Sequence, residues 1–266
     1  MYAFAYHQPT SLKEAVSLLA GEDAKLVAGG HTLIPTMKQR LAAPGTLIDL
    51  GKVPDLVGIE RSPRSITIGA MTTHGAVADS ADVKEAIPAL AELAALIGDP
   101  AVRHRGTIGG SVANNDPAAD YPAACLALGA TISTNKRKLA AEEYFTGLFE
   151  TALEEGEIVT GVSFPIPHKA AYEKFRNPAS RYALVGVFVA KRPSDIRVAV
   201  TGAGSNGVFR WTEAEEALAK RFAAKSLEGM SPSADGLNSD IHADAAYRAH
   251  LIGVMARRAV QKAADR

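Results

Sequence analysis

Residues 106–120 read GTIGGSVANNDPAAD, and this stretch constrains the fold more than any other. Gly109, Gly110 and Pro117 all disfavour a helix, so the run is expected to be non-helical. It is also too rich in small polar groups for an ordinary core strand. Either it is a long turn between two elements, or its backbone is kept bare so that a ligand can approach. A second glycine pair lies in Val27-Ala28-Gly29-Gly30-His31-Thr32-Leu33, after a short strand expected over 25–28. Both stretches join their glycines to a hydroxyl residue. Glycine lets the backbone turn through positive φ and brings successive N–H groups together. Such clusters form concave anion sites that Thr and Ser hydroxyls complete. Two converging loops of this kind would suit a pyrophosphate, which needs donors from both sides. Neither is the phosphate-binding GxxxxGK[ST] loop or GxGxxG, and singly each glycine pair reads as an ordinary turn.

The flanking sequence predicts mixed structure. Residues 9–14 (PTSLKE) lead into a helix, with Ser11 or Thr10 as N-cap and Glu14 at capping-box distance from Ser11. Leu12, Val16 and Leu19 supply its apolar stripe, and Gly21 ends it. With a strand over 46–50, the opening is α/β in character. Alternation in SITIGA predicts a half-buried strand over 65–70. Residues 82–97 are helical, with Pro88 as a kink or boundary. A small-residue helix is expected over 122–128 and strands over 130–133 and 158–164. The composition then shifts at 165–181 (PIPHKAAYEKFRNPASR), and a domain boundary is expected near 170–176. Strands over 182–190 and 196–201 follow, then a capped helix start at 212–215 and an amphipathic run over 243–264.

Lys plus Arg number 29 and Asp plus Glu number 29, so the net charge is zero and a general nucleic-acid or anionic-membrane surface is disfavoured. The one cysteine, Cys125, allows no intrachain disulfide. Alone it cannot hold an iron–sulfur cluster or a cysteine zinc site. It reads as a buried hydrophobe without a partnered histidine, and a reducing, cytoplasmic location is expected. The start lacks signal-peptide features, and no apolar run approaches the ~18–20 residues of a membrane span. His74 and His104 have no companions at metal-ligand spacing. On residues alone His31 is a turn histidine and Asp116-Pro117 a turn. Arg103 and Arg105 either steer phosphate, touch a partner or are solvated.

Four stretches, AGGHTLIPTMKQRLAAPGTLIDL (28–50), IGAMTT (68–73), DPAVRHRGTIGGSVANNDPAADYPA (99–123) and AYEKF (171–175), carry a resemblance. Together they resemble the medium, FAD-binding subunit of molybdenum hydroxylases, in particular the aerobic carbon monoxide dehydrogenase type. The similarity spans nearly the whole chain, including AAYRAHLIGVMARRAVQKA (245–263). It implies an α+β fold. A two-part FAD-binding domain of the vanillyl-alcohol-oxidase and molybdenum-hydroxylase type would occupy 1–172, with a small α/β subdomain and a mainly antiparallel sheet subdomain. A C-terminal flavoprotein domain of a small antiparallel sheet with helices would occupy 173–266.

The resemblance also implies a site. Ala28, Gly29, Gly30, His31, Thr32 and Leu33 would wrap the FAD pyrophosphate, and Thr107, Ile108, Gly109, Gly110 and Ser111 would meet it from the other side. On that reading Gly30 and Gly109 are bare so that the cofactor can come close. Asp120 would accept from a cofactor hydroxyl, Val159 and Lys174 would line the flavin region, and Tyr182 would lie near the isoalloxazine ring. Residues 177–181 (NPASR) depart from the family, which commonly carries a Gly-Asp pair before the tyrosine. The implied role is electron transfer, with no catalytic residue and no metal ligand on this chain. A small subunit with two [2Fe–2S] clusters would feed FAD. A large subunit with the molybdenum cofactor would oxidise the substrate, the whole forming a dimer of heterotrimers. The acceptor would be a quinone or NAD. Two other readings are a stand-alone FAD-dependent oxidoreductase and a flavin-free scaffold of the same fold.

Overall fold

The computed structural model describes residues 1–266. Strands β1 (Ala5–His7), β2 (Ala24–Val27) and β3 (Thr46–Asp49) form a parallel sheet in the order β1-β3-β2. Parallel neighbours need crossovers, and α1 (Leu12–Leu19) and α2 (Leu33–Lys38) lie on the connections. Ser11 caps α1 by accepting the Glu14 N–H, while the Glu14 carboxylate reaches back to the N–H of Thr10, at 2.9 Å, not to that of Ser11. The glycine loop at 28–32 leaves the carboxyl end of β2.

The middle of the chain builds an antiparallel sheet, order β4-β5-β10-β6-β7. Its members are β4 (Ile59–Arg61), β5 (Ser65–Gly69), β6 (Thr131–Thr134), β7 (Lys138–Ala140) and β10 (Val159–Pro165). As the alternation predicts, Ile66 and Ile68 are buried, and Thr67 Oγ1 donates to Ser163 Oγ on β10. Six helices fill the stretch between β5 and β6: α3 (His74–Asp79), α4 (Ala81–Ala86), α5 (Pro88–Ala95), α6 (Pro100–Arg105), α7 (Ile108–Asn114) and α8 (Tyr121–Leu128). Pro88 opens α5, where its missing N–H needs no partner. A short helix, α9 (Ala141–Tyr144), precedes the hairpin of β8 (Phe145–Gly147) and β9 (Glu150–Thr151). Cys125 is fully buried in α8, and burial pushes its thiol well above the usual range.

Helix α7 corrects the expectation that 106–120 is non-helical. Thr107 caps it, its hydroxyl accepting the Gly110 N–H at 3.1 Å. The glycines fall in the first turn and cost about 1 kcal/mol each relative to alanine. Packing offsets this: a Cβ on Gly109 would stand 2.7 Å from the Ala70 carbonyl oxygen. Asn115 ends the helix in the left-handed region, φ 43°, and Pro117 lies beyond it. The buried Asn115 amide donates to the carbonyls of Gly147 (2.9 Å) and Glu150 (2.7 Å), fastening the β8–β9 hairpin to the helix.

The last part is an antiparallel sheet of β11 (Lys169–Arg176), β12 (Ala183–Lys191), β13 (Ile196–Thr201) and β14 (Phe209–Arg210). Helices α10 (Thr212–Lys220) and α11 (Ala245–Ala264) complete it. Helix α11 packs on β11 and β12, while α5 and α8 of the preceding part pack against the same sheet. Strand β12 is therefore buried from Ala183 to Ala190, which explains its unbroken run of small and apolar residues. The stretch at 170–176, where composition places a boundary, is strand β11, paired with β12 along its length. The backbone changes partner earlier: Ile166 N–H bonds back to Arg64, and His168 N–H bonds forward to Lys191. The α10 cap also differs from expectation. Trp211 occupies the N-cap with no side-chain bond, and buried Glu215 instead accepts the Val198 N–H at 2.9 Å. The whole is an α+β fold of the expected kind, and no helix is long and apolar enough to cross a membrane.

Asn115→Ala should destabilise the chain by about 2–4 kcal/mol, because it strands two buried carbonyls and removes a residue suited to a left-handed cap. Asn115→Gly keeps the backbone freedom and should recover about 1 kcal/mol of that loss. Urea unfolding of the three proteins checks both values.

Candidate functional site

The loop after β2 leaves its amides open. None of the backbone N–H groups of Ala28, Gly29, Gly30, His31 and Thr32 has an acceptor within the protein. Gly30 adopts φ 72°, the left-handed region that glycine enters without strain, and so turns the chain into α2. Ala28, Gly29, Gly30 and Leu33 are half-buried, whereas His31 and Thr32 are exposed. Consecutive unpaired amides at the carboxyl end of a parallel sheet make an anion-binding concavity.

The second loop lies against the first, but its amides are engaged. Ile108 N–H donates to Thr72 O (3.1 Å), Gly109 N–H to Ala70 O (2.8 Å), Gly110 N–H to Thr107 Oγ1 and Ser111 N–H to Thr107 O (3.0 Å). The Ser111 hydroxyl makes no bond within the protein and is the free polar group on this side. The glycines also have a packing role within the protein. A Cβ on Gly29 would collide with the Arg105 carbonyl oxygen and stand 2.7 Å from Gly106 Cα. A Cβ on Gly30 would meet Ile34 Cγ1 at 2.9 Å, and one on Gly109 would meet Ala70. All three abut protein: Gly29 lets the two loops pack together, Gly30 packs on Ile34 of α2, and Gly109 packs on Ala70 just after β5. Gly110 is less confined, its Cβ position lying 3.0 Å from Thr107 Oγ1 and 3.5 Å from Ala28 Cβ.

His74, a residue without motif company in the sequence, supports the second loop from beneath. Its N–H donates to Gly106 O at 2.9 Å, and its ring lies where a Gly106 Cβ would be, 2.6 Å from Nε2. The ring packs on Tyr121, centroids 5.4 Å apart. Burial, then the nearby charges of His31 and Arg103, lower its pKa from 6.5 to about 4, so the imidazole is neutral at pH 7. Arg103 ties the α5–α6 turn by donating to Ile97 O (2.9 Å) and Gly98 O (3.2 Å). His104 and Arg105 are exposed.

A second constellation joins the two sides of the molecule. Asp120 is buried, and Lys174 Nζ on β11 donates to its Oδ2 at 2.9 Å and to Leu96 O at 3.3 Å. Tyr172, which sequence reasoning passed over, donates its hydroxyl to Asp120 Oδ1. Burial raises the Asp120 pKa, opposed by the Lys174 ammonium and the Tyr172 hydroxyl. Val159 is buried at the bulged start of β10, and the neighbouring Thr160 carbonyl accepts the Ala70 N–H beneath Gly109. Tyr182 lies one residue before β12, not within it, and is 49 % exposed, which disposes of a plain core role. It lines a cleft of about 270 Å³ with Pro117, Ala118, Asn177 and Arg248. Its NPASR turn is self-supporting: Asn177 Oδ1 accepts the N–H groups of Ala179 and Ser180, and Arg181 takes the left-handed φ of 62°.

Comparison with known proteins agrees with this architecture. Residues 2–167 match the family model described as the FAD binding domain in molybdopterin dehydrogenase. Residues 170–263 match the CO dehydrogenase flavoprotein C-terminal domain. The carbon monoxide dehydrogenase medium chain of Afipia carboxidovorans is 38 % identical, covering 99 % of this chain and 98 % of the relative. The nicotine 6-hydroxylase medium subunit of Paenarthrobacter nicotinovorans is 35 % identical with the same coverage, 99 % and 98 %. Among solved structures, the reconstituted CO dehydrogenase from Oligotropha carboxidovorans superposes with a TM-score of 0.88 at 37 % identity, covering 98 % of both chains. Quinoline 2-oxidoreductase from Pseudomonas putida 86 gives a TM-score of 0.88 at 30 % identity, covering 99 % of this chain and 98 % of that one.

Gly29→Ala and Gly109→Ala should lower the melting temperature of the cofactor-free chain, since each Cβ meets backbone, whereas Gly110→Ala should leave it nearly unchanged. Calorimetry of the three apoproteins checks this ranking. His74 gives a pH dependence of stability. Its folded pKa of about 4 lies below its ordinary 6.5, so the unfolded chain binds more protons between those values. Stability should therefore fall as pH drops from about 6.5 to about 4, by up to roughly 3 kcal/mol. His74→Phe keeps a ring beside Tyr121 and should flatten that slope in urea titrations.

Proposed function

The chain belongs to the family of FAD-binding medium subunits of molybdenum hydroxylases, and from this we propose that it is the electron-transfer subunit of a carbon monoxide dehydrogenase-type complex. It is an oxidoreductase subunit whose relatives bear the names of medium chains of larger enzymes. In the proposed assembly it takes electrons from the [2Fe–2S] clusters of a small subunit and delivers them to a quinone or NAD. A large molybdenum subunit carries out the substrate oxidation, and the complex is a dimer of heterotrimers. The single cysteine, buried in α8, supports clusters held by another chain and a cytoplasmic setting. We divide the chain at the turn around Pro167, where the backbone bonds change partner.

The residues present fit the cofactor. Five consecutive unpaired amides, Ala28 to Thr32, carry the reading: they match a pyrophosphate dianion, and no acidic side chain stands in either loop. We assign the pyrophosphate to Ala28–Leu33, with the Ser111 hydroxyl and the Thr107–Gly110 segment closing the other side. Asp120 is assigned to a cofactor hydroxyl, and Val159, Lys174 and Tyr182 to the flavin surroundings. FAD, when bound, supplies one- and two-electron redox chemistry. The chain's own contribution is to neutralise the pyrophosphate with backbone dipoles and to hold the buried Asp120 carboxylate with Lys174 and Tyr172. The backbone N–H of His74 holds the second loop, and its neutral imidazole packs beneath Gly106 without adding charge there.

The purified chain, alone or reconstituted with FAD, should show the flavin absorbance bands, and the native protein should bring down iron–sulfur and molybdenum subunits. A colourless chain that cannot be reconstituted would mark a flavin-free scaffold. A flavin-loaded chain that oxidises a small molecule without partners would mark a stand-alone oxidoreductase.

A further inference from the structure

Tyr172 lies in the AYEKF stretch, two residues before Lys174, and only 1 % of it is exposed. Strand alternation puts both side chains on one face of β11. Its hydroxyl donates to Asp120 Oδ1 while Lys174 holds Oδ2. The C-terminal sheet is built around this contact. Lys174, Gly186 and Thr201 are register partners across β11, β12 and β13. Glycine within a strand weakens it by about 0.5–1 kcal/mol, and Gly186 has a specific reason to be there: a Cβ on it would overlap the Tyr172 hydroxyl. The next position in the row, Thr201, donates its hydroxyl to Ala119 O (2.6 Å) and Pro117 O (3.1 Å). Gly202 N–H donates to Pro117 O at 2.8 Å. Thus β13 grips the backbone just before Asp120, and β11 grips its side chain.

We propose that Tyr172 is a positioning residue of the FAD site, holding the Asp120 carboxylate in one rotamer and leaving each oxygen an acceptor position for a cofactor hydroxyl. This rests on the assignment of Asp120 to FAD. A carboxylate offers about four acceptor sites, two per oxygen, so one donor on each oxygen does not exhaust it. Without the phenol, Lys174 alone holds the carboxylate, and nothing fixes Oδ1. Tyr172 and Lys174 stand on the C-terminal sheet and Asp120 on the loop after α7, so the site is complete only when the two parts are docked. Other ionisable groups near Asp120 are Asp116 on its own loop, Tyr121 on α8 and Tyr182 before β12. Lys174 is the cation that faces it.

The test is FAD affinity of the full chain by flavin fluorescence, measured from acid to neutral pH, for wild type, Tyr172→Phe, Asp120→Asn and the double variant. Tyr172→Phe should raise the Kd about tenfold, the scale of a hydrogen bond to a charged group. It should also move FAD release to higher pH, since the charged carboxylate has lost a donor. The double variant should match Asp120→Asn, because Tyr172 acts through that carboxylate. Gly186→Ala keeps the phenol but displaces its hydroxyl, and should reproduce the rise in Kd if Tyr172→Phe does not fold. An unchanged Kd and release pH in Tyr172→Phe, beside a weakened Asp120→Asn, would overturn the inference and leave the FAD assignment standing. An unchanged Asp120→Asn would remove the assignment itself, and the inference with it.

Discussion

A carboxylate taken out of water is costly unless it is paired and hydrogen-bonded, and Asp120, 4 % exposed, finds its partners only on the other side of the molecule. Lys174 and Tyr172 reach it from β11, while Thr201 and Gly202 at the end of β13 hold the carbonyls of Pro117 and Ala119. The N-terminal part cannot bury this loop alone. Docking of the C-terminal sheet and completion of the Asp120 environment are therefore one event, and the packing of α5 and α8 on that sheet supplies the apolar area that sustains it.

The two glycine loops differ in a way their composition hides. The first offers unpaired amides, and the second gives its amides to Thr72, Ala70 and Thr107. Rigidity on one side and open donors on the other are physically complementary. A loop whose own N–H groups are satisfied keeps its shape, and it can press the other loop into place while leaving that loop's amides free. The contact of Gly29 with Arg105 and Gly106 is the surface across which that pressure acts.

Much of this was legible. Ser11, the alternation of Ile66 and Ile68 and the break at Pro88 each follow from a local rule, because capping, period-2 burial and proline geometry are settled within a few residues. Helix α7 was not legible. Its glycines argue against it, and what outweighs them is Ala70, far off in sequence, which leaves no room for a side chain. Asn115 has no reason in its own neighbourhood; its reason is a hairpin more than thirty residues later. Asn114 makes no side-chain hydrogen bond.

By itself the sequence determined most of the element types outside 106–120, the presence of two glycine loops and, through the joint spacing of AGGHTL, TIGG and the following DP, the family. These depend on residue type and separation along the chain. Only the tertiary structure decided which loop keeps free donors, that Gly29 and Gly109 face protein, and that Tyr172 completes the Asp120 pair. Each of those depends on which distant atoms come within a few ångströms, and a carboxylate's choice of donors is made in space, where β11 lies beside the loop it closes.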